Sequence, residues 1–159
     1  MNLASGQLMG GAGGGEEKTA VFPSVEWFEK LAEVMLENEA SYRRFGPLDC
    51  TLVAVVDDQF FEVTFLGYGV ESVRHLYALS DAAPSHFILQ GPLAAWREML
   101  ENIRANAGPD LEHTLGSLTF RDEPLRIDGP DQLEIDAFYR YHESLQRFFN
   151  DTAEIDTTY

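Results

Sequence analysis

The chain has 159 residues, 45% hydrophobic and 12% aromatic, with 27 acidic side chains against 11 basic ones and a formal net charge of −16. Length and apolar content imply one domain with a real core, not a disordered chain. A field of that sign repels phosphate backbones and anionic headgroups, which argues against nucleic-acid binding and against stable membrane association.

Residues 1–20 are glycine-rich, with Gly10, Gly11, Gly13, Gly14 and Gly15 close together. They read as a flexible tail, because such a segment has little to bury and a high ordering cost. No strand precedes these glycines and no Lys-Ser/Thr pair follows them, so a phosphate loop is not indicated. There is no positively charged, apolar leader, and no apolar run approaches the ~18–20 residues that a membrane span needs. A soluble cytoplasmic protein is the expectation.

Order should begin near Phe22. Ser24 is a good N-cap, and Trp27, Phe28, Leu31, Val34 and Met35 recur at helical spacing, predicting a helix to about Tyr42. Thr51–Val56 is a valine-rich strand with both faces apolar, which needs cover on both sides. Asp57-Asp58-Gln59 reads as a turn, followed by strands over Phe60–Leu66, Val70–Tyr77 and His86–Leu89. Gly91-Pro92 opens a second helix through Leu93, Trp96, Met99, Leu100 and Ile103, and Gly108-Pro109 stops it. Leu115–Phe120 and Leu125–Ile127 read as further strands. Asp131, with Glu134 three residues later, resembles a capping box and opens a terminal helix running to about Phe149. Residues 150–159 are short and acidic and should fray, leaving one domain over 21–149. The predicted class is α+β: a mainly antiparallel five-stranded sheet with helices on one face.

Catalytic patterns are sparse. His75, His86, His113 and His142 show no metal-ligand spacing, and Gly116-Ser117-Leu118 lacks the frame of a nucleophile elbow. Cys50 is the only cysteine, so no intrachain disulfide forms and the thiol reads as an inert small hydrophobe. No catalytic residue, metal or cofactor is assigned. The aromatic residues of helices and strands indicate either a filled core or an apolar pocket left between sheet and helices.

Phe22-Pro23-Ser24-Val25-Glu26-Trp27 followed by Leu36-Glu37-Asn38-Glu39 resembles the opening helix of bacterial and archaeal sterol-carrier-protein-like proteins. The helix entering at Gln90-Gly91-Pro92-Leu93 and Trp96, and the strand Leu125-Arg126-Ile127-Asp128-Gly129 before a terminal helix, are similar as well. The likeness covers about Phe22 to Phe149. It implies a hydrophobic tunnel between sheet and helices, holding a sterol, fatty acid or fatty acyl-CoA without catalysis. The tunnel lining it implies is Phe61, Phe65, Trp96, Met99, Leu100, Phe120, Phe138, Tyr141 and Leu145. The acidic surface departs from members that dock on membranes. Two alternatives stand beside the carrier. One is a small cone-like enzyme on a hydrophobic substrate, using Asp49, Tyr68, His75 or His86 as acid or base. The other is an interaction or regulatory module, a homodimer formed through the sheet face.

Overall fold

The computed structural model describes residues 18–159; the proposed glycine tail, apart from Lys18–Ala20, lies outside them. The main sheet has five strands: β2 (Leu48–Val56), β3 (Gln59–Gly67), β4 (Gly69–Leu76), β5 (Phe87–Gly91) and β6 (Arg126–Asp128), in the order β4-β3-β2-β5-β6. The β2–β3, β3–β4 and β5–β6 pairings are antiparallel, and β2–β5 is parallel. The sheet is therefore mixed, not mainly antiparallel. After two hairpins the chain crosses the back of the sheet and lays β5 beside β2 in the same direction, which no tight turn can achieve.

The helices are α1 (Val25–Glu37), α2 (Glu39–Arg43), α3 (Leu93–Asn106), α4 (Leu115–Leu118), α5 (Gln132–Arg140) and α6 (His142–Asn150). Ser24 Oγ accepts the Trp27 N–H at 3.0 Å and fixes the start of α1. The predicted single helix to Tyr42 breaks at Asn38, whose amide donates to Asp151 at 3.3 Å and to Glu154 at 2.9 Å. The first turn of α3 is capped from elsewhere: Asp57 Oδ1 in the β2–β3 turn accepts the Leu93 N–H at 3.1 Å. The helix ends on Ala107, left-handed at φ 55°, one residue before the expected glycine stop. The terminal helix is two helices, parted at Tyr141.

Leu115–Phe120 is not a strand. Thr114 Oγ1 accepts the Ser117 N–H at 3.1 Å, and Leu115 and Leu118, three apart, both turn inward from the short helix α4. Three-residue spacing is helical, and the cap decides it.

Leu52, Ala54, Val56, Phe61, Val63, Phe65, Phe87 and Leu89 form the sheet's side of the main core, and the buried side chains of the helices complete it. The opposite face holds Val53, Val55 and Ile88, with Phe60, Leu79 and Ala82 against them. The second face of β2 is thus covered by residues of the chain's own 78–85 loop. Buried Glu62 anchors that loop, accepting from Arg74 Nε at 2.7 Å and from the Ala83 N–H at 2.7 Å.

The C-terminal residues do not fray. β7 (Asp156–Thr158) pairs in parallel with β1 (Thr19–Val21), which also moves the start of the ordered domain ahead of residue 21. Asp151, Thr152 and Ile155 are buried. Asp151 Oδ2 accepts from the Tyr42 hydroxyl at 2.5 Å, and Oδ1 accepts from Arg147 Nε at 3.1 Å. Burial raises the Asp151 carboxyl above its ordinary range, against the opposing pull of Tyr42 and Arg147, and burial together with Asp151 raises the Tyr42 hydroxyl.

Two stability outcomes follow. Ile155→Ala should cost about 2–5 kcal/mol, because Ile155 is wholly buried, and the loss is read as a fall in denaturation midpoint. Unchanged stability would mean that the C-terminal segment does not belong to the core. Glu62→Ala should cost about 1–3 kcal/mol, chiefly by orphaning the Ala83 N–H, since Arg74 is half exposed and can be solvated. The expected signature is faster hydrogen exchange confined to residues 78–85.

Candidate functional site

The segment from Ala107 to Pro124 joins α3 to β6 across one end of the helical layer. Its first turn is tied down by reciprocal bonds. Asn102 Nδ2 donates to Asp110 Oδ2, and the Asp110 N–H donates to Asn102 Oδ1, each at 2.9 Å. His113 then lies between two carboxylates, with Nδ1 2.6 Å from Asp110 Oδ1 and Nε2 2.7 Å from Glu98 Oε2. Both ring nitrogens can donate at once only in the imidazolium. The bonds to Asp110 and Glu98 accordingly raise the His113 pKa, and the bond from His113 lowers that of Asp110.

Beyond this clasp, α4 inserts Leu115 and Leu118 into the aromatic core. The Leu115 N–H donates to Gln146 Oε1 of α6 at 2.7 Å, and the Leu125 N–H donates to the Leu118 carbonyl at 3.1 Å. A groove of about 690 Å³ runs along the outer side of α4, walled by Glu98, His113, Leu118, Phe120, Glu123 and Pro124. A second groove, about 440 Å³, lies on the other side, between Phe120 and Tyr139 and His142. His142 Nε2 is buried there without a hydrogen-bond partner among the described residues, 3.6 Å from where a Cβ on Gly116 would stand.

The lining implied by the family resemblance is distributed unevenly. Phe61, Phe65, Trp96, Met99, Leu100, Phe138 and Leu145 come together, but each is at most 2% exposed and packs against core neighbours. Phe65 meets Phe148 edge-on at 4.9 Å, and Phe87 meets Phe138 edge-on at 6.0 Å. Trp96 Nε1 donates to the Val55 carbonyl at 3.1 Å. Tyr141 is half-buried at the α5–α6 break. Phe120 does not join them; it is 66% exposed and stands between the two grooves. The residues that sequence reasoning missed are His113, Leu115, Leu118 and His142. The Thr114 cap and the three-residue spacing of the leucines were the available signal for α4. Nothing local announces that Glu98 would meet His113.

The acid–base candidates are not assembled. Asp49 is exposed at the start of β2, opposite Leu66, and Tyr68 sits in the β3–β4 turn. His75 is exposed and stacked on Phe61 at 5.0 Å, while His86 Nδ1 bonds the Ala83 carbonyl at 2.6 Å. No hydrogen bond joins any two of these four residues. Burial, with Asp49 adding to it, pushes the Cys50 thiol up to about 12, where it is a poor nucleophile. No described helix is long and apolar enough to cross a membrane. The chain matches no protein-family model, no curated protein and no solved structure.

The clasp has a pH signature. His113 is raised from 6.5, so its contribution is complete below the ordinary imidazole range and is lost as pH climbs through the raised value. The Asp110 contribution has the opposite sense, present above 3.8 and lost as pH falls through its lowered value. Proton NMR should show His113 titrating above the ordinary imidazole range. Amides 110–118 should exchange faster on the alkaline side, after correction for intrinsic exchange, and His113→Gln should remove that dependence. An ordinary His113 titration would show that the clasp does not form.

Proposed function

We propose that the protein binds a hydrophobic small molecule non-catalytically, and that the molecule is admitted at α4. The observation that carries this reading is the thinness of the wall: a four-residue helix with two leucines separates a 690 Å³ groove from the aromatic core. That volume suits a drug-sized ligand, and among the groove's apolar parts, Leu118, Phe120 and Pro124, Leu118 is itself a core residue. The unpartnered His142 Nε2 beside α4 supplies one polar contact, which is what an apolar ligand with a single hydroxyl would use. The resemblance to sterol-carrier-like domains points the same way, with a sterol, fatty acid or acyl-CoA as ligand classes. Because the residues of the implied tunnel fill one another's space, the ligand must displace Leu115 and Leu118 to reach them.

A fluorescent sterol or fatty-acid analogue should bind at micromolar concentration, about 8 kcal/mol of affinity. Phe120→Asp should weaken binding at least several-fold while leaving the melting temperature unchanged, because Phe120 is exposed and outside the core. Gly116→Val should weaken it too, by crowding His142. Wild-type protein that binds neither probe saturably would overturn the proposal.

A further inference from the structure

β4 is an edge of the main sheet. Its backbone ladders to β3 and, among the described residues, to nothing on its other side. α1 lies alongside. Its buried stripe, Trp27, Phe28, Leu31, Val34 and Met35, enters the core. A second stripe, Glu29, Ala32, Glu33 and Leu36, follows the same i, i+3, i+4, i+7 spacing and turns toward residues 69–73 of β4. Between helix and strand runs a groove of about 440 Å³. Half-buried Ala32, Val70 and Val73 form its floor, and Leu36 stands over it 66% exposed. Glu29, Glu33 and Glu71 form its rim. Lys18 is bonded to Glu37 at 3.0 Å and lies 3.8 Å from Glu33, and Arg74 of β4 is bonded to Glu62 at 2.7 Å.

A free strand edge beside a helix, with an apolar floor, offers main-chain hydrogen bonds along one side and side-chain pockets along the other. We propose that this groove docks an extended peptide of alternating basic and apolar residues, which adds to β4 as a sixth strand. The apolar side chains enter between Leu36 and Val73, and the basic ones, alternating to the peptide's other face, are favoured by the field of Glu29, Glu33 and Glu71 rather than by contact with them. Charge selects this occupant over the alternatives. A second copy would bring another acidic rim, within a chain of net charge −16, against the first. Residues 1–17 contain Glu16 and Glu17 and neither lysine nor arginine, so they meet the same repulsion.

The test uses the full chain and two capped heptapeptides, lysine alternating with valine and glutamate alternating with valine. The basic peptide should bind saturably and slow hydrogen exchange of β4 amides between Val70 and His75. It should bind at least about tenfold tighter than the acidic peptide at low ionic strength, and the preference should shrink in high salt. Glu29→Lys with Glu71→Lys, both at exposed positions, should reverse the preference without changing the melting temperature. Equal binding of the two peptides, or no protection of β4 by either, overturns the proposal. So does protection of β4 in the free protein, whether lost on deleting residues 2–17 or lost on dilution of a dimer seen by light scattering.

Discussion

The burial of both faces of β2 is the constraint on which the remaining architecture rests. Val53 and Val55 point one way and Leu52, Ala54 and Val56 the other, and all are at most 6% exposed. A strand of this kind is stable only inside two layers. The front layer comes from helices whose aromatic stripes reach across the sheet, as Phe28 meets Phe61 and Phe148 meets Phe65. The back layer is a loop, and loops carry polar backbone that needs partners. Glu62 resolves that conflict. Its carboxylate receives the Ala83 N–H and the Arg74 guanidinium together, so a charge, rather than a helix, fastens the apolar Leu79 and Ala82 over Val53 and Ile88.

The ends of the chain close the front layer in the same manner. Asn38, Tyr42 and Arg147 converge on Asp151, and Asn38 also reaches Glu154, so the break between α1 and α2 and the 3-10 turn Asp151–Glu154 hold each other. Trp27 Nε1 adds a bond to Thr157 Oγ1 at 3.0 Å, linking α1 to β7. A buried carboxylate is costly when alone and tolerable when its lone pairs are filled. Here three donors from two stretches, Asn38 and Tyr42 at α2 and Arg147 on α6, fill them, which ties the last ten residues to the first helices more firmly than their composition suggests.

That difference explains what could be read from the residues alone. Alternation in Phe61, Val63 and Phe65, caps at Ser24 and Asp131, and the Gly91-Pro92 boundary are local signals, and the elements they announce are present. The sheet's parallel pair was invisible because strand order is set by long-range pairing, not by any turn motif. Residues 150–159 depart from the expected fraying because polar composition predicts exposure only when partners are absent, and Asp151 is buried with Tyr42 and Arg147 bonded to it. Leu115–Phe120 was ambiguous as a short apolar run, and the Thr114 cap outweighs it. The candidate lining was legible as a set of mutually close residues, Phe120 excepted, since apolar stripes reveal what faces inward. They do not reveal whether the inside is filled.

A filled interior sets the energetics of any carrier built on this fold. Withdrawing α4 exposes Leu115 and Leu118, about 1.5–3 kcal/mol each and so about 3–6 kcal/mol together. The open state would then be populated at roughly one part in a hundred to one in a few tens of thousands, and observed affinity falls by that fraction. A ligand held at micromolar concentration must therefore gain about 11–14 kcal/mol inside, where a rigid apolar body returns most of the contact surface that the leucines gave up. The His113 clasp acts on the same equilibrium. By fastening α4's leading segment to Glu98 and Asp110 it favours the closed state, and deprotonation of the imidazole removes one of the charge-assisted bonds that opening has to break. In the proposed carrier, ligand admission and the ionisation of half-buried His113 would thereby be coupled through a four-residue helix, with the aromatic core itself unchanged.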